Sequence, residues 1–306
     1  MTRPEKLYTL HADVTPTDRR VLLYSFNGFL DAGGACRIAV DAMTTKLEHR
    51  LIATFDSDEL IDFRARRPRM TYATDHFVNV DVPTVSLHEI TDAEGAPFLL
   101  LAGPEPDFQW GRFLAAVHSL VELFEISLSV GMSAIPWPAP HTRPTGVTVH
   151  GSERELLASY PSPLGEIEVP GSVGSMLELS LAEAGRASMG VSVHVPHYLV
   201  QFDYPRAAMK VIATTAEVAG LVIPFEDLEP SALTAEAEIA AQLEGNDEFG
   251  SVVEALEEQF DQQQAQDVAS LAPGGAIPTG EEIAASVEQF LAEMNAAEDE
   301  GKGEPS

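Results

Sequence analysis

The stretch RRVLLYSFNGFLDAGGA, residues Arg19–Ala35, carries the pattern from which the fold is predicted. Its first part, Arg19–Phe26, is a short apolar run of the kind that forms a buried strand. The next part, Asn27–Gly34, combines asparagine, aspartate and glycine, which mark a turn. From Gly34 to His49 the apolar residues recur at helical spacing. The stretch therefore predicts a strand, a turn and a helix in succession.

The same alternation of strand and helix patterns continues along the chain. Further strands are predicted at Arg50–Asp56, Val85–Ile90, Pro97–Gly103, Ser127–Ala134, Val147–Gly151 and Val191–Leu199. Helices are predicted at Gln109–Glu125, Glu153–Tyr160, Gly171–Gly185 and Pro205–Gly220. The turn at Glu94-Gly95 indicates a hairpin between two of the strands. This order favours an α/β fold with a mostly parallel sheet that is covered by helices on both faces.

Changes in composition divide the chain into six segments. Residues 1–18 are polar, and we expect them to be flexible. The expected segments after them are an α/β domain at 19–225, an acidic helical pair at 226–265, a linker at 266–278, a C-terminal helix at 279–295 and a disordered tail at 296–306. Within the acidic pair, helices are predicted at Ala232–Leu243 and Glu248–Gln264, joined by a Gly-Asn-Asp turn.

The 306-residue chain has a net charge of −30, and the charge is unevenly distributed. Residues 226–306 hold 21 acidic residues and one basic residue, whereas the rest of the chain holds 27 acidic and 17 basic residues. This balance disfavours nucleic acid and anionic membranes as partners. The acidic C-terminal part is either a solvated helical tail or a surface for a basic partner, and the sequence leaves both open.

The cellular compartment is predicted from three features. No apolar run approaches the roughly 20 residues that span a bilayer. The first residues, MTRPEKLYTLHADV, lack the apolar core of a secretory signal. The single cysteine, Cys36, cannot form an intrachain disulfide, which fits a reducing compartment. We therefore expect a cytoplasmic protein.

Two loops at the predicted carboxyl ends of strands carry candidate binding residues. The first contains Asn27 and Asp31, and it lacks both the Gly-x-Gly-x-x-Gly and the Gly-Lys-Ser/Thr spacing of nucleotide sites. The second contains Glu105 and Asp107 in a proline-framed loop, where paired carboxylates could do acid–base work. No His or Cys lies nearby in sequence, so no metal is expected, and no cofactor is expected either. The alternative is structural, with Asp31 and Asp107 capping the helices that follow.

A third loop lies within GMSAIPWPAPHTRPTGVTVHG, Gly131–Gly151, and contains four prolines. Its candidate binding residues are Trp137, His141 and Arg143, which the prolines would hold rigidly. The guanidinium of Arg143 is a natural ligand for a carboxylate or phosphate. Alternatively, Trp137 packs against a neighbouring subunit and Arg143 neutralises a local acid. Gly131-x-Ser133 resembles half of a serine nucleophile elbow, but Ile135 stands where the second glycine is needed.

Several ordered motifs together resemble the proteasome assembly chaperone family, the family of its second chaperone, in its actinobacterial branch. They are FNGFLDAGGA (Phe26–Ala35), GPEPDFQWGRF (Gly103–Phe113), GMSAIPWPAPHTRP (Gly131–Pro144), GSVGSMLE (Gly171–Glu178) and VPHYL (Val195–Leu199). The resemblance implies a three-layer α/β/α fold of the phosphorylase/hydrolase-like type with a C-terminal helical segment. It also implies a homo-oligomer, for which a trimer is one expectation, and proteasome subunits as further partners. It supplies no catalytic residues.

Two classes of function remain open from the sequence. The first is a protein-binding or assembly-factor role, which fits the acidic helices, the rigid loop and the lack of a complete catalytic motif. The second is a small-molecule-binding protein or an enzyme that uses the carboxyl edge of the sheet. In that case the seven candidate residues, Asn27, Asp31, Glu105, Asp107, Trp137, His141 and Arg143, would converge there. The sequence favours a protein without enzymatic activity and leaves catalytic residues unknown.

Overall fold

A computed structural model describes residues 7–160, 165–243 and 247–270 of the chain. The strands are β1 (Tyr8–Leu10), β2 (Val21–Asn27), β3 (His49–Phe55), β4 (Arg69–Ala73), β5 (His76–Asp81), β6 (Ser86–Thr91), β7 (Pro97–Pro104), β8 (Leu128–Trp137), β9 (Val147–Gly151) and β10 (Ser188–Pro196). The helices are α1 (Ala35–Lys46), α2 (Ser57–Leu60), α3 (Trp110–Leu123), α4 (Arg154–Leu157), α5 (Val173–Glu183), α6 (Pro205–Ala219), α7 (Glu229–Leu243) and α8 (Asp247–Ser270).

Eight of these strands form one sheet in the order β1-β3-β6-β7-β2-β8-β10-β9. Strand β2 lies in the middle, parallel to both β7 and β8, and β8 is parallel to β10. The pairs towards both edges are antiparallel. Residues Val21–Phe26 of β2 are all buried, as expected for a central strand covered on both faces. The predicted α/β class is confirmed, with the parallel pairing concentrated at the centre of the sheet.

Two hydrophobic cores lie on opposite faces of the sheet and make the fold three-layered. On one face α1 and α6 pack against each other and against β8 and β10, around Met43, Val193 and Val211. On the other face α3 and α5 cover β2 and β7, around Phe113 and Leu177. Because the apolar faces of the helices must be buried, this arrangement follows from the amphipathic patterns in the sequence.

Most of the predicted elements are found within a few residues of their expected bounds. The exceptions have local causes. Strand β10 begins at Ser188 and ends at Pro196, and each bound is three residues earlier than the predicted one. Residues His197–Leu199 form a 3-10 turn after Pro196. Strand β8 extends past the expected end at Ala134 to Trp137, because β10 continues to pair with it up to Trp137.

Four short elements were not predicted, namely the helix α2 and the strands β1, β4 and β5. Strand β1 lies in the segment expected to be flexible, where Leu7 is fully buried and Tyr8–Leu10 pair with β3. Strands β4 and β5 form a separate two-stranded hairpin in the long connection before β6. The hairpin turn places Thr74 at a positive φ of 60°.

The C-terminal helices α7 and α8 attach to the sheet domain through a small number of contacts. Arg206 of α6 bonds Glu229 and Glu236 of α7, and Ile239 joins the core beneath α6. Helix α8 continues to Ser270, into the segment expected to be a linker. The predicted helix at 279–295 and the tail at 296–306 lie outside the described residues. So do Gly245 and Asn246 of the predicted Gly-Asn-Asp turn, whereas Asp247 of that turn is the first residue of α8. No helix in the described part of the chain is long and apolar enough to cross a membrane.

Candidate functional site

Glu105 and Asn27 meet at the carboxyl edge of the sheet, where β2 and β7 end side by side. The backbone N–H of Glu105 donates to the carbonyl of Asn27 at 3.0 Å. The Glu105 carboxylate accepts a hydrogen bond of 2.8 Å from the backbone N–H of Val173, the first residue of α5. A carboxylate at a helix N-terminus satisfies a free N–H and interacts favourably with the helix dipole. Glu105 therefore fixes the start of α5 to the edge of the sheet.

Asp107 is held next to this edge by a residue that the sequence analysis did not select. The guanidinium of Arg66 lies 3.1 Å from the Asp107 carboxylate and donates to the Glu105 carbonyl at 2.6 Å. The other oxygen of Asp107 accepts from the backbone N–H of Asp62 at 2.8 Å. Both predicted carboxylates of this loop thus have partners within the chain, and together they anchor the segment that leads into the hairpin. The signal that points to Arg66 is the basic run RARRPR, Arg64–Arg69, in an acidic protein.

Asp31 acts on the first turn of α1. Its Oδ1 accepts from the backbone N–H groups of Cys36, at 2.8 Å, and Arg37, at 3.4 Å. Burial raises the pKa of Asp31, and these two hydrogen bonds oppose the rise. The structural alternative named from the sequence, a helix cap, describes this geometry.

Trp137 and His141 pack against aromatic residues at the end of β10. The Trp137 ring stacks on the ring of His194, with centroids 3.9 Å apart and an interplanar angle of 10°. Burial lowers the pKa of His194 to about 4, so the ring under the tryptophan is neutral at pH 7. The backbone N–H of His141 donates to the Tyr198 hydroxyl at 2.9 Å, and His141 Nδ1 lies 2.9 Å from the same oxygen. Burial also lowers the pKa of His141.

Arg143 binds the acidic helix α8 of its own chain. Its Nε and Nη2 donate to the two carboxylate oxygens of Asp261 at 2.9 and 2.8 Å, and Nη1 lies 3.3 Å from Glu257. Thr142 also donates to Glu257. The pKa of Asp261 is lowered by its bond to Arg143. The proline loop therefore joins the sheet domain to α8.

The seven candidate residues form three separate groups. Asn27, Glu105 and Asp107 lie with Arg66 at the β2–β7 edge, Asp31 lies on α1, and Trp137, His141 and Arg143 lie between β10 and α8. Among the described contacts, none joins a member of one group to a member of another. The described residues also contain no group of three or more His, Cys, Asp or Glu side chains that could hold a metal ion.

The hairpin of β4 and β5 groups five exposed large apolar side chains between Met70 and Val80. The exposed fractions are 60% for Tyr72, 62% for Phe77 and 53% for Val78. Met70 and Val80 are exposed as well. Every residue of both strands is exposed except the half-buried Ala73. A two-stranded hairpin with neither face covered is marginally stable alone, and a large exposed apolar patch marks an interaction site.

Arginines without acidic partners lie at the base of this hairpin. Arg64, Arg67 and Arg69 are exposed, and within the described residues the structure pairs none of them with a carboxylate. The sequence analysis missed this surface, although MTYATDHFVNV, Met70–Val80, alternates apolar and polar residues around a Thr-Asp turn. The hairpin and its three arginines are referred to below as the hairpin surface.

Comparison with known proteins identifies relatives over most of the chain. A model of the PAC2 family matches residues 25–243. The crystal structure of a Mycobacterium tuberculosis protein of unknown function is 40% identical, with a TM-score of 0.80, and the match covers 85% of this chain and 92% of that chain. A protein of unknown function from Corynebacterium glutamicum is 38% identical, with a TM-score of 0.81 and coverage of 85% and 98%.

A more distant solved structure shares the fold. It is the Mycobacterium tuberculosis proteasome-assembly chaperone homologue, with 21% identity and a TM-score of 0.70, and the match covers 76% of this chain and 99% of that chain. No curated protein matches the sequence.

Proposed function

The chain belongs to the PAC2 family, and from that premise we propose that it is a protein-binding assembly factor that works as a homo-oligomer. The single observation that carries the proposal is the hairpin surface. It exposes two large aromatic side chains, Tyr72 and Phe77, beside three arginines without acidic partners in the described chain. Aromatic residues and arginine are the residue types that contribute most binding energy at protein interfaces.

The chemistry of the hairpin surface specifies its partner. Exposed apolar strands next to unpaired guanidiniums fit a surface that is apolar in part and acidic at its rim. A second copy of this chain offers such a surface on α7 and α8. Leu233 and Val252 are exposed there, close in sequence to the exposed carboxylates of Glu238, Glu254 and Glu258. Contact between the hairpin of one copy and the acidic helices of the next is head-to-tail, and such contacts form a ring when the rotation between copies closes. A trimer is the ring that we expect first.

The hetero-partner that we propose is a proteasome subunit. The support is the shared fold of the structure described as a proteasome-assembly chaperone homologue. We also propose a cytoplasmic location, which the single cysteine Cys36, free and buried, supports.

The oligomer is tested by light scattering coupled to size exclusion. The wild type should elute at a multiple of 32.9 kDa. The double variant Tyr72→Ser/Phe77→Ser should elute as the monomer, because both aromatic anchors are lost. The matched control is Leu123→Ser/Leu179→Ser, which removes two side chains of similar exposure, 54% and 60%, far from the hairpin in sequence, and should leave the oligomer intact. A monomeric wild type, or an oligomeric hairpin variant, contradicts the proposal.

The hetero-partner is tested by capture of purified proteasome α and β subunits on immobilised full-length protein. We expect capture by the wild type and by the Leu123→Ser/Leu179→Ser control, and no capture by Tyr72→Ser/Phe77→Ser. Equal capture by all three proteins, or none by the wild type, contradicts a proteasome partner that requires the oligomer formed through the hairpin surface.

A further inference from the structure

A chain of four hydrogen-bonded polar side chains crosses three strands on the face of the sheet that α5 covers. Glu178 of α5 lies 2.8 Å from Nδ1 of His150 on β9. Nε2 of the same ring lies 3.1 Å from the Ser192 hydroxyl on β10, which lies 2.7 Å from the Ser133 hydroxyl on β8. None of these four residues belongs to the candidate groups described above.

The carboxylate at one end fixes the direction of every hydrogen bond in this chain. Because a carboxylate only accepts, Nδ1 carries the proton when the His150 ring is neutral, and Nε2 is then left as an acceptor. The Ser192 hydroxyl must then donate to Nε2, and its oxygen accepts from the Ser133 hydroxyl. Each proton therefore points towards His150, as in an arrangement in which a histidine activates a serine and an acid orients the histidine.

A glycine leaves space in the sheet for two of these four side chains. Gly190 pairs with His150 across β9 and β10, so both lie on the same face. A Cβ at Gly190 would overlap both the His150 ring and the Glu178 carboxylate. On the neighbouring strand, Gly131 pairs with Gly190, and a Cβ there would lie 2.7 Å from the Tyr24 ring. Gly190 thus leaves room for the acid and the imidazole, and Gly131 leaves room for the Tyr24 ring.

Exposure distinguishes the two serines. The His150 side chain is 43% exposed and Glu178 17% exposed, so solvent reaches the imidazole while the acid is largely covered. Ser192 is only 8% exposed, whereas Ser133 is half-buried and more open. Ser133 is therefore the serine that a substrate can reach, and Ser192 connects it to the base.

We propose that Ser133 is an activated nucleophile of the serine-hydrolase kind, with Ser192 as proton relay, His150 as general base and Glu178 as the residue that positions His150. The expected substrates are short apolar acyl esters. Ile135 follows Ser133 by two residues, so it lies on the same face of β8 and offers a half-buried apolar surface to the acyl group.

The reaction balances with water as the only co-reactant. Ser133 Oγ bonds to the carbonyl carbon, while its proton passes to Ser192 and the Ser192 proton passes to Nε2 of His150. The C–O bond to the alcohol breaks, and the departing oxygen takes the proton from His150. Water then attacks the acyl carbon and its proton passes through Ser192 to Nε2 of His150. The bond between the acyl carbon and Ser133 Oγ breaks, Ser133 Oγ takes the proton back through Ser192, and the carboxylic acid leaves. Because β10 is paired on both sides, its backbone N–H groups are engaged in the sheet and are not free to stabilise an oxyanion. We therefore expect covalent labelling to be easier to detect than turnover.

The test uses the full-length protein and diisopropyl fluorophosphate, in which Ser133 Oγ displaces fluoride from phosphorus. Peptide mass spectrometry should find the adduct on Ser133, and Ser133→Ala should abolish it. His150→Gln and Ser192→Ala should each slow labelling by at least about 100-fold, the usual contribution of a general base. Glu178→Gln should also slow the labelling of Ser133. Glu178→Asp, which keeps the carboxylate, should be labelled measurably faster than Glu178→Gln, a difference that a purely structural role of Glu178 would not require.

A second serine–histidine pair in the chain provides the matched control. His118 Nε2 lies 3.0 Å from the Ser180 hydroxyl between α3 and α5. His118→Gln and Ser180→Ala should leave the labelling of Ser133 unchanged. Circular dichroism melts establish that each variant is folded, and Ser192→Ala decides the outcome if His150→Gln is not folded. An unlabelled wild type, an adduct on Ser192 or elsewhere, or labelling insensitive to the loss of His150 or Ser192 overturns the proposal.

Discussion

The proline loop, residues 137–146, and the β4–β5 hairpin both extend from the sheet, but the loop contacts its own chain whereas the hairpin is exposed to solvent. The loop carries the tryptophan, histidine and arginine that attract attention in the sequence, and all three side chains bind residues of the same chain. The hairpin strands carry His76 and Asp81 among their polar residues, and every side chain except that of the half-buried Ala73 is exposed. A loop that contains several reactive residue types is therefore not necessarily available to bind a partner.

The difference follows from what lies within reach of each arginine. Arg143 lies beside α8, which presents Glu257 and Asp261, so the loop is drawn onto its own acidic helix. Arg67 and Arg69 lie at the base of the hairpin and make no ion pair within the described residues, although Asp81 lies opposite Arg69 in the hairpin register. Charge that is neutralised within the chain fixes the fold, and charge left unpaired is available for association.

The largest expected difference between the two regions is in how they affect the pH dependence of the free energy of unfolding. Burial lowers the pKa of His194, under Trp137, from 6.5 to about 4. Above pH 6.5 its ring is neutral in both the folded and unfolded states. Between pH 6.5 and 4 only the unfolded state takes up the proton, so the free energy of unfolding should fall by about 3 kcal/mol as the pH is lowered through this range. Urea unfolding at a series of pH values measures this loss.

The control for this prediction lies in the hairpin. His194→Gln should remove that part of the pH dependence, whereas His76→Gln should retain it because His76 is exposed. Parallel pH curves for the wild type and His194→Gln would show that His194 is not the group responsible.

The next contrast is between aromatic residues. Trp137→Ala should lower the free energy of unfolding by about 2 kcal/mol, less than a fully buried tryptophan costs, because Trp137 is half-buried and stacked on His194. Urea unfolding at pH 7 provides the measurement. If stability were unchanged, the stack would not hold the loop in solution.

A smaller contrast is expected between arginines. Arg143→Ala should accelerate amide hydrogen exchange in α8 by roughly two- to fivefold, because a surface ion pair contributes modestly. Arg67→Ala should leave exchange in α8 unchanged. Equal exchange in the two variants would mean that the loop does not restrain the helix.

The smallest expected effect is that of Tyr72→Ala on the stability of the isolated monomer, within about 0.5 kcal/mol, since the side chain is 60% exposed. The measurement is urea unfolding at a concentration where the protein is monomeric. A loss comparable to that of Trp137→Ala would place Tyr72 in a packed core and remove the contrast between the two regions.

Local features were predictable because their causes are local in sequence. The turn Asn27–Gly34 and the hydrogen bonds of Asp31 to the first turn of α1 depend on residues within about one helical turn of each other. The hairpin was missed because its alternation of apolar and polar residues is exposed on both faces, so it lacks the buried run by which the other strands were recognised. The strand β1 was missed because it has only three residues.

The sequence by itself determined the alternation of strands and helices, the acidic C-terminal part and the family, since each of these is written in consecutive residues. Only the tertiary structure decided which side chains meet. Strand β10 inserts between β8 and β9 in the sheet, and this order brings Ser133, Ser192 and His150 together. Arg143 reaches Asp261 across 118 residues. The physical reason is that strand order and register are set by packing of the whole core, whereas hydrophobic periodicity reports only which face of each element is buried.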